Sequence, residues 1–166
     1  MNTNNFNEGE EDIIVKPRRT RSVTTQIKVL KIGPNSPPGT LTKGTKGSSG
    51  YDIMNAGGDT VVLPDRIAPI NTGIGLEMPN NVEGQIRGRS SLALKGISVF
   101  NGTIDSDYRG EIYILLENKS KVPYTVLAGE KIAQIIFTKV LVAKFTYVEE
   151  LCPSERGDGG FGSTGR

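Results

Sequence analysis

The chain has 166 residues, 36% of them hydrophobic, a formal net charge of +2 at pH 7 and no histidine. That length suits one domain with room for a core, and so small a net charge creates no overall field to draw nucleic acid or an anionic membrane. Without imidazole there is no Ser-His-Asp triad and no His-ligated metal, so a base must be carboxylate, lysine, tyrosine or cysteine, and any hard cation must rely on oxygen ligands.

Residues 1–24 read as a disordered tail. They are Asn-rich at first, then acidic (Glu8, Glu10, Glu11, Asp12), then basic (Lys16, Arg18, Arg19, Arg21). Opposed charge blocks with few apolar residues cannot offset the entropy of ordering. A solvated tail is the ordinary reading of so short a basic cluster, and a nuclear-import or nucleic-acid patch is the alternative. No signal peptide or membrane span is legible, and the single cysteine, Cys152, has no partner for a disulfide. The expectation is an intracellular protein, cytoplasmic or nuclear.

From Thr25 the pattern becomes that of short strands. Gln26–Lys31 alternates apolar and polar residues until Pro34, Pro37, Pro38 and Gly39 break it. Further β-type runs are Tyr51–Met54, Thr60–Leu63, Ile67–Met78, Val82–Ile86, Ile97–Phe100, Glu111–Glu117, Tyr124–Leu127, Lys131–Thr138 and Val140–Val148. Gly57-Gly58, Pro64-Asp65, Pro79-Asn80, Asn101-Gly102 and Ala128-Gly129 punctuate them. With 21 glycines and 9 prolines, the pattern predicts an all-β barrel or sandwich, with at most one helical turn at Ser90–Lys95. The last eleven residues hold five glycines and read as a mobile arm from 152 to 166, which leaves 25–151 as the domain.

Three segments carry candidate chemistry. The run from Asn101 to Glu111 reads as a hairpin with two carboxylates, Asp105 and Asp107, and an aromatic, Tyr108. By itself it reads as a charged turn, as most Asp-rich loops do. Arg87 to Ala93 combines two arginines, two hydroxyls and a possible helix start, which suits an anion, although Ser90 or Ser91 could equally be a helix cap. In the tail from Arg156 to Gly165, glycine amides, Ser163, Thr164 and Arg156 suit phosphate oxygens. Phe161, set between glycines with no core to join, suits stacking on a flat ring.

Taken together, five ordered segments resemble the motifs of the trimeric dUTPase family. They are Ser49 to Ile53, Gly88 to Ala93, Gly102 to Glu111, Gly129 to Ile136, and Arg156 through Gly165. The resemblance runs from about Thr25 to the C-terminus and implies a dUTPase-like β-barrel or jelly roll assembled as a homotrimer. It also implies Mg²⁺-dependent hydrolysis of dUTP to dUMP and diphosphate, a reaction that keeps uracil out of DNA and supplies dUMP for dTMP synthesis.

The implied roles follow residue by residue. Asp105 holds the water that attacks the α-phosphorus. Tyr108 packs beneath the deoxyribose. Main-chain groups of the hairpin from Val99 to Tyr108, with Asn101, Gly102, Thr103 and Ile104 among them, read the uracil edge. Arg89, Ser90, Ser91 and Gln134 hold the phosphates, while Asp52 orients the water shell of a Mg²⁺ bound by phosphate oxygens. Phe161 caps the uracil between Gly160 and Gly162, and Arg156, Ser163 and Thr164 close over the phosphates of a neighbouring subunit's site.

Carboxylates are weak bases at neutral pH, but one suffices where positioning and charge neutralisation carry most of the rate. Ser49 stands where the family usually has alanine and Ser91 where many members have glycine, both small changes. Asp158 adds a negative charge among the tail's phosphate contacts.

Two alternatives stand beside this reading. A dCTP deaminase of the same fold would need a catalytic glutamate at the position of Leu115, and Glu117 lies two residues on, on the same strand face. The other is a binding module on the dUTPase fold that has lost catalysis, although Asp105 and the tail are both present.

Overall fold

The computed structural model describes residues 24–34 and 41–159. The disordered-tail reading of residues 1–23, and the tail residues Gly160, Phe161, Gly162, Ser163 and Thr164, lie outside the described residues.

The described chain is all-β apart from one helical turn, as the sequence predicts. Eleven strands run in the order β1 (Lys28–Lys31), β2 (Tyr51–Met54), β3 (Thr60–Val62), β4 (Ile67–Asn71), β5 (Ile74–Glu77), β6 (Val82–Arg87), β7 (Ile97–Val99), β8 (Gly102–Ile104), β9 (Tyr113–Asn118), β10 (Tyr124–Val126) and β11 (Lys131–Lys139), with α1 (Ser90–Ala93) after β6. The pairs β1-β5 and β10-β3 form two small sheets. A four-stranded sheet has the order β2-β11-β6-β8 and a three-stranded one the order β4-β9-β7. The ladders of both larger sheets are antiparallel.

Isoleucine dominates the interior. Ile53, Ile70, Ile74, Ile97, Ile112, Ile114, Ile132 and Ile135 are buried together with Leu116, Val62 and Val126. β-branched side chains suit this role because they are stiff and fill a pleated surface well. Strand β9 shows the pattern plainly: Ile114 and Leu116 are buried, while Tyr113 and Leu115 are exposed.

Three local expectations are corrected. The run Ile67–Met78 is two strands, because Gly73 takes φ +64° and turns the chain between β4 and β5. The strands flanking Asn101-Gly102 do not form a hairpin, since β7 pairs with β9 and β8 pairs with β6. That segment instead carries the chain from one sheet to the other. Val140–Val148 is not a strand. Val140 still donates its N–H to the Asn81 carbonyl at 2.9 Å, and the chain beyond runs in the open. Leu141 is 89% exposed and Tyr147 99% exposed, so the segment's strand pattern has no ladder to join in its own chain. No helix of the described residues is long and apolar enough to cross a membrane.

Two buried asparagines hold turns in place. Asn118, fully buried, donates from Nδ2 to the Val62 and Val122 carbonyls, both at 2.8 Å. Its Oδ1 accepts from the Ser120 N–H at 2.9 Å and from the Ser120 hydroxyl at 2.7 Å. Asn55 does the same work near β3, donating to the Gly58 and Leu127 carbonyls. A buried group stripped of its partner costs about 1–3 kcal/mol. Asn118→Leu is therefore expected to lower the unfolding free energy by roughly 3 kcal/mol, read from urea transitions at fixed protein concentration.

Candidate active site

The first group of candidate residues gathers across three strands. Asp52 on β2 pairs in register with Gln134 on β11, and Gln134 pairs in turn with Arg87 on β6. Residues directly opposite share a face, so this row lies together on the sheet surface. Lys131 is three residues before Gln134, and strict alternation would send it to the other face. A register shift between Lys131 and Ala133 prevents this. The irregularity rotates the strand as bulges do, and Lys131 joins the Asp52 face.

The polar contacts follow from that placement. Lys131 Nζ lies 2.8 Å from Asp52 Oδ2, and Arg89 Nε lies 3.7 Å from Asp52 Oδ1. Arg89 also donates from a terminal nitrogen to the Lys131 carbonyl at 2.6 Å. Gln134 donates from Nε2 to the Gly88 carbonyl at 3.1 Å and lies over Gly50. A Cβ at Gly50 would come within 2.2 Å of Gln134 Oε1, so glycine is what lets Gln134 take this position. Arg89 is itself the N-cap of α1 and there is no side-chain cap bond, so neither serine is the cap. Ser90 and Ser91, at the start of α1, are both exposed.

The second group sits on the loop after β8. Asp105 is exposed, and its carbonyl accepts from the Tyr108 N–H at 3.1 Å. The Tyr108 ring folds back against Gly110, where a Cβ would meet the ring at 2.7 Å or less, and its hydroxyl donates to the Glu111 carbonyl at 2.9 Å. Arg109 Nη1 donates to the Ser106 carbonyl at 2.7 Å and the Tyr108 carbonyl at 3.1 Å. The Glu111 carboxylate accepts from the Gly73 N–H at 2.9 Å, which fastens the loop to the chain just before β5. Glu111 also raises the Tyr113 hydroxyl above the ordinary tyrosine value, first by repulsion of the phenolate and then by accepting its hydrogen bond. Asp105 and Tyr108 line an open depression of about 290 Å³ with Thr103, Ile104, Tyr113 and Leu115.

One chain does not bring the two groups together. Ile104 stands opposite Gly84, whereas Gln134 stands opposite Arg87. Asp105 and Arg89 lie one and two residues beyond those points. Along the backbone their separation is therefore about six residues, the last two of them beyond the end of β6, or at most roughly 20 Å at ~3.3 Å per residue. Asn101, Gly102 and Thr103 line a separate open groove with Gln85, Ile86 and Arg87. Arg156 is exposed and its own bonds are local, Nε donating to the Gly159 carbonyl at 2.9 Å.

Among the described residues no group of three or more acidic or thiol side chains could hold a metal ion. Each Asp52 oxygen already faces a cation, so the donors fit an outer-shell role toward hydrated Mg²⁺ and do not form a direct ligand cage. Position 115, where the deaminase reading needs a glutamate, is a leucine lining the Asp105 depression. Glu117, two residues on, pairs with Lys119 at 3.1 Å.

Lys131, Arg109 and Glu111 were given no role from sequence, although all three fall inside motifs. Alternation misdirects Lys131, the carbonyls that Arg109 gathers belong to its own loop, and nothing local to Glu111 reveals its distant partner, the Gly73 N–H. The turn leading into Lys131 is held by Glu130, which accepts from the Tyr124 hydroxyl at 2.5 Å and the Leu127 N–H at 3.0 Å. Burial first, and the Glu130 carboxylate second, push Tyr124 up to about 12 from 10.0. A raised value favours neutral tyrosine in the fold. Its stabilisation is thus complete below pH 10 and is lost as pH climbs to about 12. Urea midpoints of the parent should fall across that window more than those of Tyr124→Phe.

Comparison with known proteins identifies the family and the fold. A family model described as dUTPase matches residues 39–165. The deoxyuridine 5'-triphosphate nucleotidohydrolase of Ehrlichia canis is 46% identical over 145 residues, covering 84% of this chain and 94% of that protein. The corresponding protein of Paramecium bursaria Chlorella virus 1 is 44% identical over 126 residues, covering 74% and 87%. Among solved structures, a mutant of the Staphylococcus bacteriophage 80alpha dUTPase with dUpNHpp superposes with a TM-score of 0.80 at 25% identity, covering 86% and 100%. The phage phi11 dUTPase of S. aureus, whose structure shows coordination of a structural Mg(II) ion, shares the fold with a TM-score of 0.70 at 22% identity, covering 76% and 98%. The matched family model and the extent of these identities show that the chain belongs to the dUTPase family.

Proposed function

We propose that this chain, a dUTP nucleotidohydrolase by family, works through a site assembled from two copies: the Asp105 loop of one and the Asp52–Arg89–Gln134 cluster of another. The observation that carries the proposal is their separation, up to roughly 20 Å along the backbone. A triphosphate held by Arg89 and Gln134 must also bring its α-phosphorus to about 3–3.5 Å from the water on Asp105, and so long a gap within one chain disfavours that.

Association also suits the segment after β11. Leu141, Val142, Phe145 and Leu151 are each more than 80% exposed, and an extended apolar segment of this kind gains by lying on another copy. Closed rings with a head-to-tail interface make every site equivalent, and the homotrimer is the ring we propose.

In the assembled site Asp105 holds the attacking water and accepts its proton. The new bond forms from the water oxygen to the α-phosphorus, and the bond from that phosphorus to the bridging oxygen breaks, leaving dUMP and diphosphate. Arg89, Ser90, Ser91 and Gln134 hold the phosphate chain. Tyr108 packs under the deoxyribose, with its ring fixed by Gly110 and Glu111. Fixing the ring leaves it no room to yield to a ribose 2′-hydroxyl. Main-chain groups from Asn101 to Ile104 read the uracil. Arg156, Gly160, Phe161, Gly162, Ser163 and Thr164 come from the C-terminal arm to cover base and phosphates and to exclude water. Mg²⁺ would supply neutralisation of the triphosphate charge. Asp52 orients its water shell.

The deaminase alternative has no support at position 115. Asp105→Asn should lower diphosphate release from dUTP by about a thousandfold while dUpNHpp affinity stays within a few-fold, since only the proton acceptor is removed. The assay compares dUTP, dCTP, dTTP and UTP and follows ammonia in parallel. Appreciable turnover by the variant would contradict the role of Asp105, and ammonia from dCTP would contradict the reaction.

A further inference from the structure

We infer that Lys131 is a further positioning residue for the reaction, adding a positive charge beside Asp52 and Arg89 and placing their side chains without touching the reacting atoms. The inference rests on the reading of that cluster as the phosphate site.

Lys131 holds both partners, each by a different part of itself. Its ammonium takes Asp52 Oδ2 at 2.8 Å, and its carbonyl takes the Arg89 guanidinium at 2.6 Å. The looser contact is the direct one, Arg89 Nε to Asp52 Oδ1 at 3.7 Å. Lys131 thus keeps acid and guanidinium near each other without letting them close into a tight pair. A guanidinium locked onto a carboxylate would offer fewer donors to a phosphate, whose planar recognition needs them free.

The charge count points the same way. Asp52 is offset by two cations, so the trio carries one positive charge toward an incoming triphosphate. Without Lys131 the remaining pair is neutral. Asp52 is mostly covered, with 16% of its side chain exposed, so solvent screens the change less than at an open surface.

Two features of the backbone exist at this point and serve Lys131. The register shift between Lys131 and Ala133 turns its side chain onto the Asp52 face. The turn before it is pinned by Glu130 to Tyr124 and to the Leu127 N–H. Asn55 donates its N–H to the Glu130 carbonyl at 2.9 Å, tying the same turn to the end of β2 beside Asp52.

The test uses the full chain and measures binding by calorimetry, with and without Mg²⁺. Its ligands are dUpNHpp and dUMP, and its variants are Lys131→Met, Lys131→Arg and Arg89→Met. The expectation for Lys131→Met is dUpNHpp affinity weaker by about tenfold in both conditions, with dUMP affinity changed by less than about threefold. Lys131→Arg should recover most of the loss, because it restores the charge. Loss that falls equally on both ligands, or that arginine does not restore, would make Lys131 merely structural and overturn the inference. If Arg89→Met weakens dUpNHpp and Lys131→Met does not, the Lys131 inference alone fails. If neither variant weakens it, the cluster is not the phosphate site and both readings fail.

Discussion

The register of β6 between its two neighbours is the constraint on which the rest of the molecule depends. Arg87, the last residue of β6, faces Gln134, and Gly84, near the middle of the strand, faces Ile104, so β6 sets the spacing between the Arg89 and Asp105 groups. A slip of one residue would turn every side chain of β6 to the wrong face. Gly84 guards against that slip. A Cβ there would meet Ile135 Cδ1 at 2.7 Å and Ile104 Cβ at 3.4 Å, so β6 fits its neighbours closely only at this glycine. The same close fit that fixes the core also fixes the spacing on which the proposal of a shared site rests.

Each half-site is stiff in its own way. The Asp105 loop has no ladder, yet Arg109 gathers carbonyls of the loop and Glu111 fastens it to the Gly73 amide. The other half is built on strands, where a rotated backbone at β11 and the missing side chain of Gly50 shape the surface. Such preorganisation matters because a weak carboxylate base contributes little unless water and phosphorus are already in place. The exposed segment after Lys139 contrasts with both. It has exposed apolar side chains and no ladder in its own chain.

Much of this was legible in the sequence. Isoleucine and valine at alternate positions gave the strands, and the glycine and proline punctuation marked most of their ends. The order of the five motifs pointed to the family before any geometry was known. The misreadings have physical causes. Ile67–Met78 looked continuous because apolar residues recur on either side of Asn71-Thr72-Gly73, and the backbone angle at Gly73 reveals two strands. Asn101-Gly102 carried a hairpin signature, but its flanking strands found better partners in separate sheets. Val140–Val148 alternated like a strand, although alternation says nothing of where a partner lies. Lys131 was hidden for the opposite reason, since a bulge breaks the alternation that sequence reading relies on.

The central claim is that Asp105 and Arg89 of one site come from different copies, and subunit mixing tests it most directly. Asp105→Asn and Arg89→Gln, each inactive alone, would be unfolded together in equal amounts and refolded, and diphosphate release from dUTP would be measured. Random assembly into closed rings should restore roughly one site in four, because only a site that takes its Asp105 from one variant and its Arg89 from the other is complete. A mixture no more active than either parent, in particles shown to contain both variants, would mean that each chain supplies both halves of its own site.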